Sequence, residues 1–375
     1  MIVQALTPFL KRYLTLAKIF SLSYFEWDET KGKIILRDEK HHLKVKGWMV
    51  LEAIYVIVQA LLIRSRGFDL VEKFSAALIL ILYLACLILR FERRVDLVPM
   101  LVNNWSLSEA YKKFGRDRRP SHHTRFETTC RLFYSLVDVC IILDPLLVAI
   151  LTIVLPCKIP FVGGMLLCGR PKTIATTAMT LFLALMEFVV MLTMFLGTFQ
   201  YTGYTLLTGI FILYTECGSF LARKFDNFEL SFLKYMELQV LEKLVNGAIR
   251  GRILLVVFLM MPVLQILSCF GFLMLLKGSV LNSTIFFALY FDCVCFTLLI
   301  LNSSAKLFIN TRAWMSHLTP TKDKTNRRIM RSLTPLKIQF GNNFVDALTP
   351  LIFQEFCVKQ TGSLLVFARS QHAHG

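Results

Sequence analysis

The chain has 375 residues, of which 55% are hydrophobic and 18% are charged, and its mean hydropathy is +0.59. A soluble domain of this length seldom carries so much apolar surface, so the composition predicts a membrane protein with several spans. The formal net charge is +17, but basic residues also gather in the cytoplasmic loops of membrane proteins, where they meet anionic lipid. No nucleic-acid-binding module accompanies the charge, so we do not expect nucleic acid as a partner.

The N-terminal segment predicts an amphipathic helix over residues 2–20. Its basic residues, Lys11, Arg12 and Lys18, follow an apolar start, which is the wrong order for a cleaved signal peptide. The pattern favours a helix on the cytoplasmic face of the membrane, with these side chains near lipid headgroups. We therefore expect residues 1–47 to form a cytoplasmic N-terminal segment.

Seven apolar segments are candidates for membrane-spanning helices. They are Trp48–Ile63, Phe74–Leu89, Leu132–Leu155, Ile174–Gly197, Ile253–Leu276, Ser283–Leu301 and Phe344–Phe367. Apolar character continues after the fourth segment toward Phe220, which favours a long projecting helix over an eighth span. The predicted fold class is an all-α membrane protein with seven transmembrane helices and intracellular helical extensions.

The basic residues predict the orientation of these spans. Lys and Arg are concentrated in the N-terminal segment and in every second loop after it, and such loops face the cytoplasm. The N-terminus is then cytoplasmic and the C-terminus extracellular, the reverse of G-protein-coupled receptors. After the N-terminal segment we expect spans one to six with their cytoplasmic loops over 48–303, a cytoplasmic loop and anchor over 304–343, a pore-lining seventh span over 344–367 and an extracellular tail over 368–375.

The last predicted span is unusually polar for a helix in a membrane. It contains Glu355, Lys359, Gln360, Thr361 and Ser363, and hydrocarbon does not tolerate so many polar groups. Glu355 and Lys359 are four residues apart, so we expect an ion pair on one helix face. The pattern predicts that this helix faces protein or a water-filled path.

The residues at the entry to that span carry a family resemblance. Insect chemoreceptors have a Gly a few residues before a Phe and an Asp or Asn at this point, and this chain has Gly341, Phe344 and Asp346. Together with the length, the seven spans and the long cytoplasmic loops, these residues resemble the insect chemoreceptor superfamily, and its gustatory receptors in particular.

The end of the span matches the family only in part. The family has Thr-Tyr, five apolar residues and Gln-Phe. This chain keeps Thr361 and most of the apolar run, but it has Gly362 in place of Tyr and Ala368-Arg369 in place of Gln-Phe. Filter chemistry that depends on the family's Gln therefore does not carry over to this chain.

The resemblance implies a gustatory (taste) receptor that acts as a ligand-gated, non-selective cation channel. It implies a homo- or hetero-tetramer with related receptors, located in the plasma membrane of a sensory neuron, with a small-molecule tastant and the lipid bilayer as partners. It implies no enzymatic activity and no cofactor. The seventh helices would line a central pore that is narrowest at an apolar ring of Leu365. The candidate pore and gate residues are Leu365, Thr361, Gln360, Leu364 and Ala368.

The resemblance also places the ligand among the other spans, in their extracellular halves. Aromatic and Met residues there are candidates for the pocket, although ordinary helix packing explains each of them as well. They are Tyr55, Met179, Phe182, Phe272, Phe286 and Tyr290.

Four acidic residues lie in or near the predicted spans. Buried acids in membranes usually have a partner, and the remainder serve ligand binding or proton-linked steps. The four are Asp138, Asp144, Glu187 and Asp292. The chain has 7 His, too few for the histidine clusters of membrane di-iron enzymes, so we expect no metal site.

One predicted extracellular loop contains two cysteines. Cys157 and Cys168 lie in an oxidising compartment if the orientation is correct, and Gly163-Gly164 between them permits a tight turn, so we predict a disulfide. Asn282 begins a glycosylation sequon in another extracellular loop.

A secondary transporter is the alternative function, because transporters also place polar residues in their spans. Transporters often contain internal repeats, and we find no repeat in this sequence. A membrane enzyme is disfavoured because no nucleophile, base and metal set converges.

Overall fold

The computed structural model describes residues 2–30, 33–65, 70–91, 123–154, 162, 173–202, 206–222, 228–251, 253–276, 280–317 and 324–374. In this part of the chain the protein is largely helical, which confirms the all-α fold class. The helices are α1 Ile2–Ile19, α2 Glu39–Ser65, α3 Leu70–Arg90, α4 His123–Val154, α5 Ile174–Thr202, α6 Thr208–Leu221, α7 Phe228–Ile249, α8 Ile253–Leu275, α9 Val280–Ser316, α10 Lys324–Ser332 and α11 Thr349–His374.

Two short antiparallel hairpins accompany the helices, and we did not predict them. The first pairs β1 Phe25–Asp28 with β2 Lys33–Leu36, and the second pairs β3 Gln339–Phe340 with β4 Asn343–Phe344. Both are too small to build a core, so the fold remains a helical bundle.

The first six predicted spans coincide with α2, α3, α4, α5, α8 and α9. Among the described residues, five helices are long and apolar enough to cross a membrane, within Glu39–Ser65, Thr128–Val154, Ile174–Thr198, Ile253–Leu275 and Phe286–Ser316. Helix α3 contributes a shorter apolar stretch, Ala76–Arg90, and α11 is not among the five. The seven-span count therefore stays a prediction.

Side-chain contacts fix the relative directions of helices α8 and α9. Gln265 of α8 donates to Thr297 Oγ1 of α9 at 2.8 Å, and Phe286 near the start of α9 lies against Gly271 near the end of α8, so this pair is antiparallel. We call the end of the bundle that holds the first residues of α8 and the last residues of α9 the basic end, because basic segments adjoin it.

Helix α1 packs on the bundle rather than lying apart from it. It contacts α4, α5 and α6 through a buried face of Leu10, Tyr13, Leu14 and Ala17. Its basic side chains pair with carboxylates of the same chain, Lys11 with Glu29 at 2.7 Å, Arg12 with Asp138 at 3.1 Å and Lys18 with Glu26 at 3.1 Å. Such partly exposed pairs contribute little to stability, because water screens their charges. The side chains that we expected near lipid headgroups thus have partners within the chain.

Helical extensions continue past the predicted spans at the basic end. Helix α9 runs on to Ser316, beyond the predicted boundary at Leu301. Helix α6 is buried along most of its length and packs against α9 and α7. The ring of Tyr235 on α7 stacks on Trp314 of α9 with centroids 4.9 Å apart. These contacts make the extensions one packed unit.

The segment before α11 is tied to α7 by hydrogen bonds. The backbone amide of Gln339 donates to Asn246 Oδ1 at 2.9 Å, and Arg250 Nε donates to the Gly341 carbonyl at 2.6 Å. Gly341 has φ +54° at the hairpin turn, a conformation that favours glycine. Glu242 of α7 contacts the same segment, and burial raises the pKa of its carboxyl. The approach to the last helix is therefore fixed in position.

Helix α11 begins later and ends later than the predicted seventh span. Asp346 Oδ1 accepts hydrogen bonds from the backbone amides of Leu348 at 3.1 Å and Thr349 at 2.8 Å, which caps the free amides of the first turn. The predicted start, Phe344, lies in β4 instead. The predicted tail after Phe367 continues as helix to His374.

Candidate functional site

A cavity of about 160 Å³ lies between five helices of the bundle. Each helix contributes residues spaced three or four apart, because that spacing places side chains on one helix face. The lining residues are Leu82, Ala85, Cys86 and Leu89 of α3; Phe133, Val137, Cys140, Ile141 and Asp144 of α4; Phe195 and Thr198 of α5; Val256, Val257, Met260, Met261 and Leu264 of α8; and Leu289, Asp292, Cys293 and Phe296 of α9. The lining is predominantly apolar.

Two carboxyl groups interrupt this apolar lining. Asp144 of α4 and Asp292 of α9 both line the cavity, and the Cys140 thiol donates to Asp292 Oδ2 at 3.5 Å. Thr198 is also polar, but its hydroxyl donates to the Cys86 carbonyl at 3.2 Å. The cavity thus offers two carboxyl groups that can accept hydrogen bonds, together with a large apolar surface.

The cavity does not contain the six residues predicted for the ligand pocket. It is lined by the last turns of α3 and α5 and by the first half of α8, so it extends toward the basic end. Most of the six lie nearer the opposite end. The predicted pocket and the cavity are therefore different places in the bundle.

The six residues occupy several different environments. Met179 and Phe182 project from the outer surface of α5, where lipid would cover them. Tyr55 is buried and donates a hydrogen bond to Glu187. The others lie where α8 and α9 meet: Phe272 with its ring 5.2 Å from that of Phe287, Phe286 against Gly271, and Tyr290 one turn further along α9. Helix packing explains these positions.

Helix α11 has one face against the bundle and one open face. Phe353, Cys357, Thr361 and Ala368 are buried at spacings of four or seven residues, which place them on one helix face. They pack on α8 and α9, where the ring of Phe258 lies 5.9 Å from that of Phe353 and Gln354 donates to Thr297 at 3.3 Å. The opposite face carries Glu355, Lys359, Gly362 and Val366, all exposed.

The candidate gate residues divide between these faces. Thr361 is 6% exposed and Ala368 is 2% exposed, because both pack against their own subunit, and Thr361 donates to the Cys357 carbonyl at 2.9 Å. Leu364 and Leu365 are half-buried, and Gln360 is exposed. The residue most directly on the open face in this region is Val366, which is 70% exposed.

The ion pair expected on α11 is present. Lys359 Nζ lies 2.6 Å from Glu355 Oε1 on the open face. The two opposite charges offset each other locally, so an ion in a water-filled path beside them would experience a dipole rather than a single charge.

A buried ion pair joins α2 to α3, and we did not predict it. Arg90 Nη1 contacts Glu52 Oε2, and the two side chains are only 3% and 1% exposed. Gly197 of α5 lies against the Arg90 guanidinium. The signal available in the sequence was a Glu in the middle of the first apolar span and an Arg at the end of the second.

The remaining site predictions concern the loops. Cys157 and Cys168 lie outside the described residues, so their disulfide stays a prediction. Asn282 falls in the first turn of α9, and its glycosylation likewise stays a prediction.

Solved structures that share this fold include insect olfactory receptor OR5 from Machilis hrabei, alone and in complex with eugenol. Each has a TM-score of 0.63 with 11% sequence identity over 96% of this chain and 98% of that chain. At this identity the likeness shows the fold, which is the one expected from the resemblance of the sequence to insect chemoreceptors. No family model matches the sequence, and no curated protein matches it either.

Proposed function

We propose that this protein is a chemoreceptor subunit that forms a ligand-gated, non-selective cation channel. The observation that carries the proposal is the open face of α11, on which Glu355 and Lys359 precede Gly362 and Val366. A polar turn followed by an apolar one suits a wet vestibule and a dry constriction. The shared fold with an olfactory receptor supports this reading over the transporter alternative.

Several copies of the chain are needed to close a pore around that face. The open face of α11 would line the pore, and further contacts would form at the extensions. One face of helix α7 packs on α6, and its other face exposes an apolar stripe. The stripe consists of Leu230, Leu233, Met236 and Val240. Such a stripe on a helix outside the apolar spans suits an interface between subunits. We propose a tetramer, formed by this chain alone or with related receptors.

The ligand of this channel would be a small-molecule tastant, and its site the cavity lined by α3, α4, α5, α8 and α9. Helices α8 and α9 line the cavity and also pack on α11. A ligand that prefers one arrangement of these helices therefore shifts the population of pore states. The protein would act in the plasma membrane of a sensory neuron.

Expression in a non-excitable cell with whole-cell recording tests the channel. We expect a ligand-evoked current when sugars, bitter compounds and single-ring aromatic compounds are applied. With sodium on one side of the membrane and potassium on the other, this current should reverse near zero millivolts. Surface labelling of the same cells is the control. Surface protein that passes no current but takes up a labelled solute would favour the transporter instead.

Epitope tags test the proposed orientation. An N-terminal tag should stain only permeabilised cells and a C-terminal tag should stain intact cells, because the basic segments adjoin the cytoplasmic face. The reverse staining pattern would place α11 in the membrane in the opposite direction and would contradict the proposed receptor topology.

A further inference from the structure

Two acidic side chains, Asp144 and Asp292, line the cavity. Among the described residues, only the weakly donating Cys140 thiol donates a hydrogen bond to Asp292, at 3.5 Å. Asp144 accepts no hydrogen bond from any described residue, although it lines the cavity. Neither carboxyl forms an ion pair with a Lys or Arg in the part of the chain that the structure describes. The cavity therefore presents carboxyl oxygens that can accept hydrogen bonds from a ligand.

Other acidic side chains in the bundle have a partner within the chain. Glu52 pairs with Arg90, Asp138 pairs with Arg12 at 3.1 Å, and Glu187 accepts from Tyr55. Each of these contacts lies within the chain, as buried charged groups require. Asp144 and Asp292 have no ion pair of this kind with a described residue, so a ligand with a cationic or strongly donating group would complement them.

We propose that the cavity binds a small hydrophobic amine in its protonated form. The ammonium group would donate to Asp144 and Asp292, and the hydrocarbon part would contact the apolar wall formed by α3 and α8. Hydrogen bonds between charged groups are about twice as strong as neutral ones. The inference names the ligand class for the site used in the proposed function, and it rests on that function for its link to gating.

The size of the cavity limits the ligand to about one ring. An apolar cavity of about 150 Å³ binds benzene, and this cavity measures about 160 Å³. Benzylamine is therefore a suitable probe, with benzyl alcohol as a neutral molecule of nearly the same shape.

An inorganic cation suits the cavity less well. The described residues contain no group of three or more His, Cys, Asp or Glu side chains that could hold a metal ion. The wall is also hydrocarbon from Leu82, Val137 and Met260 among others, which favours an organic ligand.

Calorimetric titration of the purified full-length protein tests the proposal without reference to current. We expect benzylamine to bind at least about tenfold more tightly than benzyl alcohol, because the ammonium adds charge-assisted hydrogen bonds. In Asp292→Asn and Asp144→Asn this preference should fall by about tenfold. Asp38→Asn is the matched control, since Asp38 is exposed in the turn before α2, and it should keep the wild-type preference.

Equal binding of the two probes to the wild-type protein would overturn the proposal, and this comparison needs no variant to fold. Binding of Ca²⁺ or Zn²⁺ that excludes benzylamine would overturn it as well. Recording separates this result from the proposed function. Benzylamine that binds but evokes no current would contradict the link between this cavity and gating and leave the amine site standing, whereas currents evoked equally by both probes would contradict the amine site and leave the channel standing.

Discussion

Replacing Gly197 by alanine should remove most of the protein from the cell surface. An added Cβ at this position would lie 2.6 Å from Cζ and 2.9 Å from Cδ of Arg90. The Arg90 side chain is 3% exposed and paired with Glu52, so moving the guanidinium away from the added Cβ would pull it from Glu52. The substitution would therefore separate a buried ion pair, and losing one partner of such a pair costs about 3–5 kcal/mol. Surface biotinylation and size-exclusion profiles measure the loss.

Gly247→Ala is the matched control for this substitution. Gly247 also lies inside a helix, α7, but a Cβ added there meets nothing within 4 Å. Alanine in a helix interior is favoured over glycine by about 1 kcal/mol, so surface expression should be unchanged or slightly higher. If both variants reach the surface equally, the packing of Arg90 against α5 does not limit folding.

Charge variants separate the ion pair from simple crowding. Arg90→Met alone leaves Glu52 unpaired in the bundle, and Glu52→Leu alone leaves Arg90 unpaired, so each should reduce surface protein strongly. The double variant removes both charges and should recover much of the wild-type level. A double variant as poor as the single variants would show that the pair supports the fold through packing rather than through charge.

The sequence predicted the helices of this fold well because long apolar segments have few alternatives in a membrane. The ends of the last helix were harder to predict. Phe344 continues the apolar pattern toward the seventh span, but the cap at Asp346 and the hairpin around Gly341 delay the helix to Thr349. The cap is local, but the hairpin depends on hydrogen bonds to α7, which no local pattern encodes.

The candidate site was only partly predictable for a related reason. Asp144 and Asp292 were recognised as unusual acids, but their meeting depends on how α4 packs beside α9. The gate was aligned through Thr361, whereas the face of α11 that stays open depends on which residues α8 and α9 bury. Periodicity gives the faces of a helix, and only the neighbouring helices decide which face is covered.

Val366→Ser should raise the ligand-independent current of the proposed channel. Val366 is 70% exposed on the open face of α11, one helical turn beyond Gly362, and a symmetric tetramer would bring four copies together. An apolar ring blocks ions by excluding water, and a hydroxyl lowers that barrier. Val366→Trp should reduce the current without changing surface labelling.

Two comparisons locate the constriction. Val50→Ser makes the same chemical change at a residue that is 58% exposed on α2, far along the chain from α11, and it should gate like the wild type. Leu365→Ser tests the position suggested by the family resemblance, where the side chain is half-buried at the edge of the open face. A partly covered side chain hydrates the path less, so we expect a smaller rise in current than from Val366→Ser. A large rise from Leu365→Ser with none from Val366→Ser would mean that α11 rotates in the assembled channel and presents its Leu365 edge to the pore.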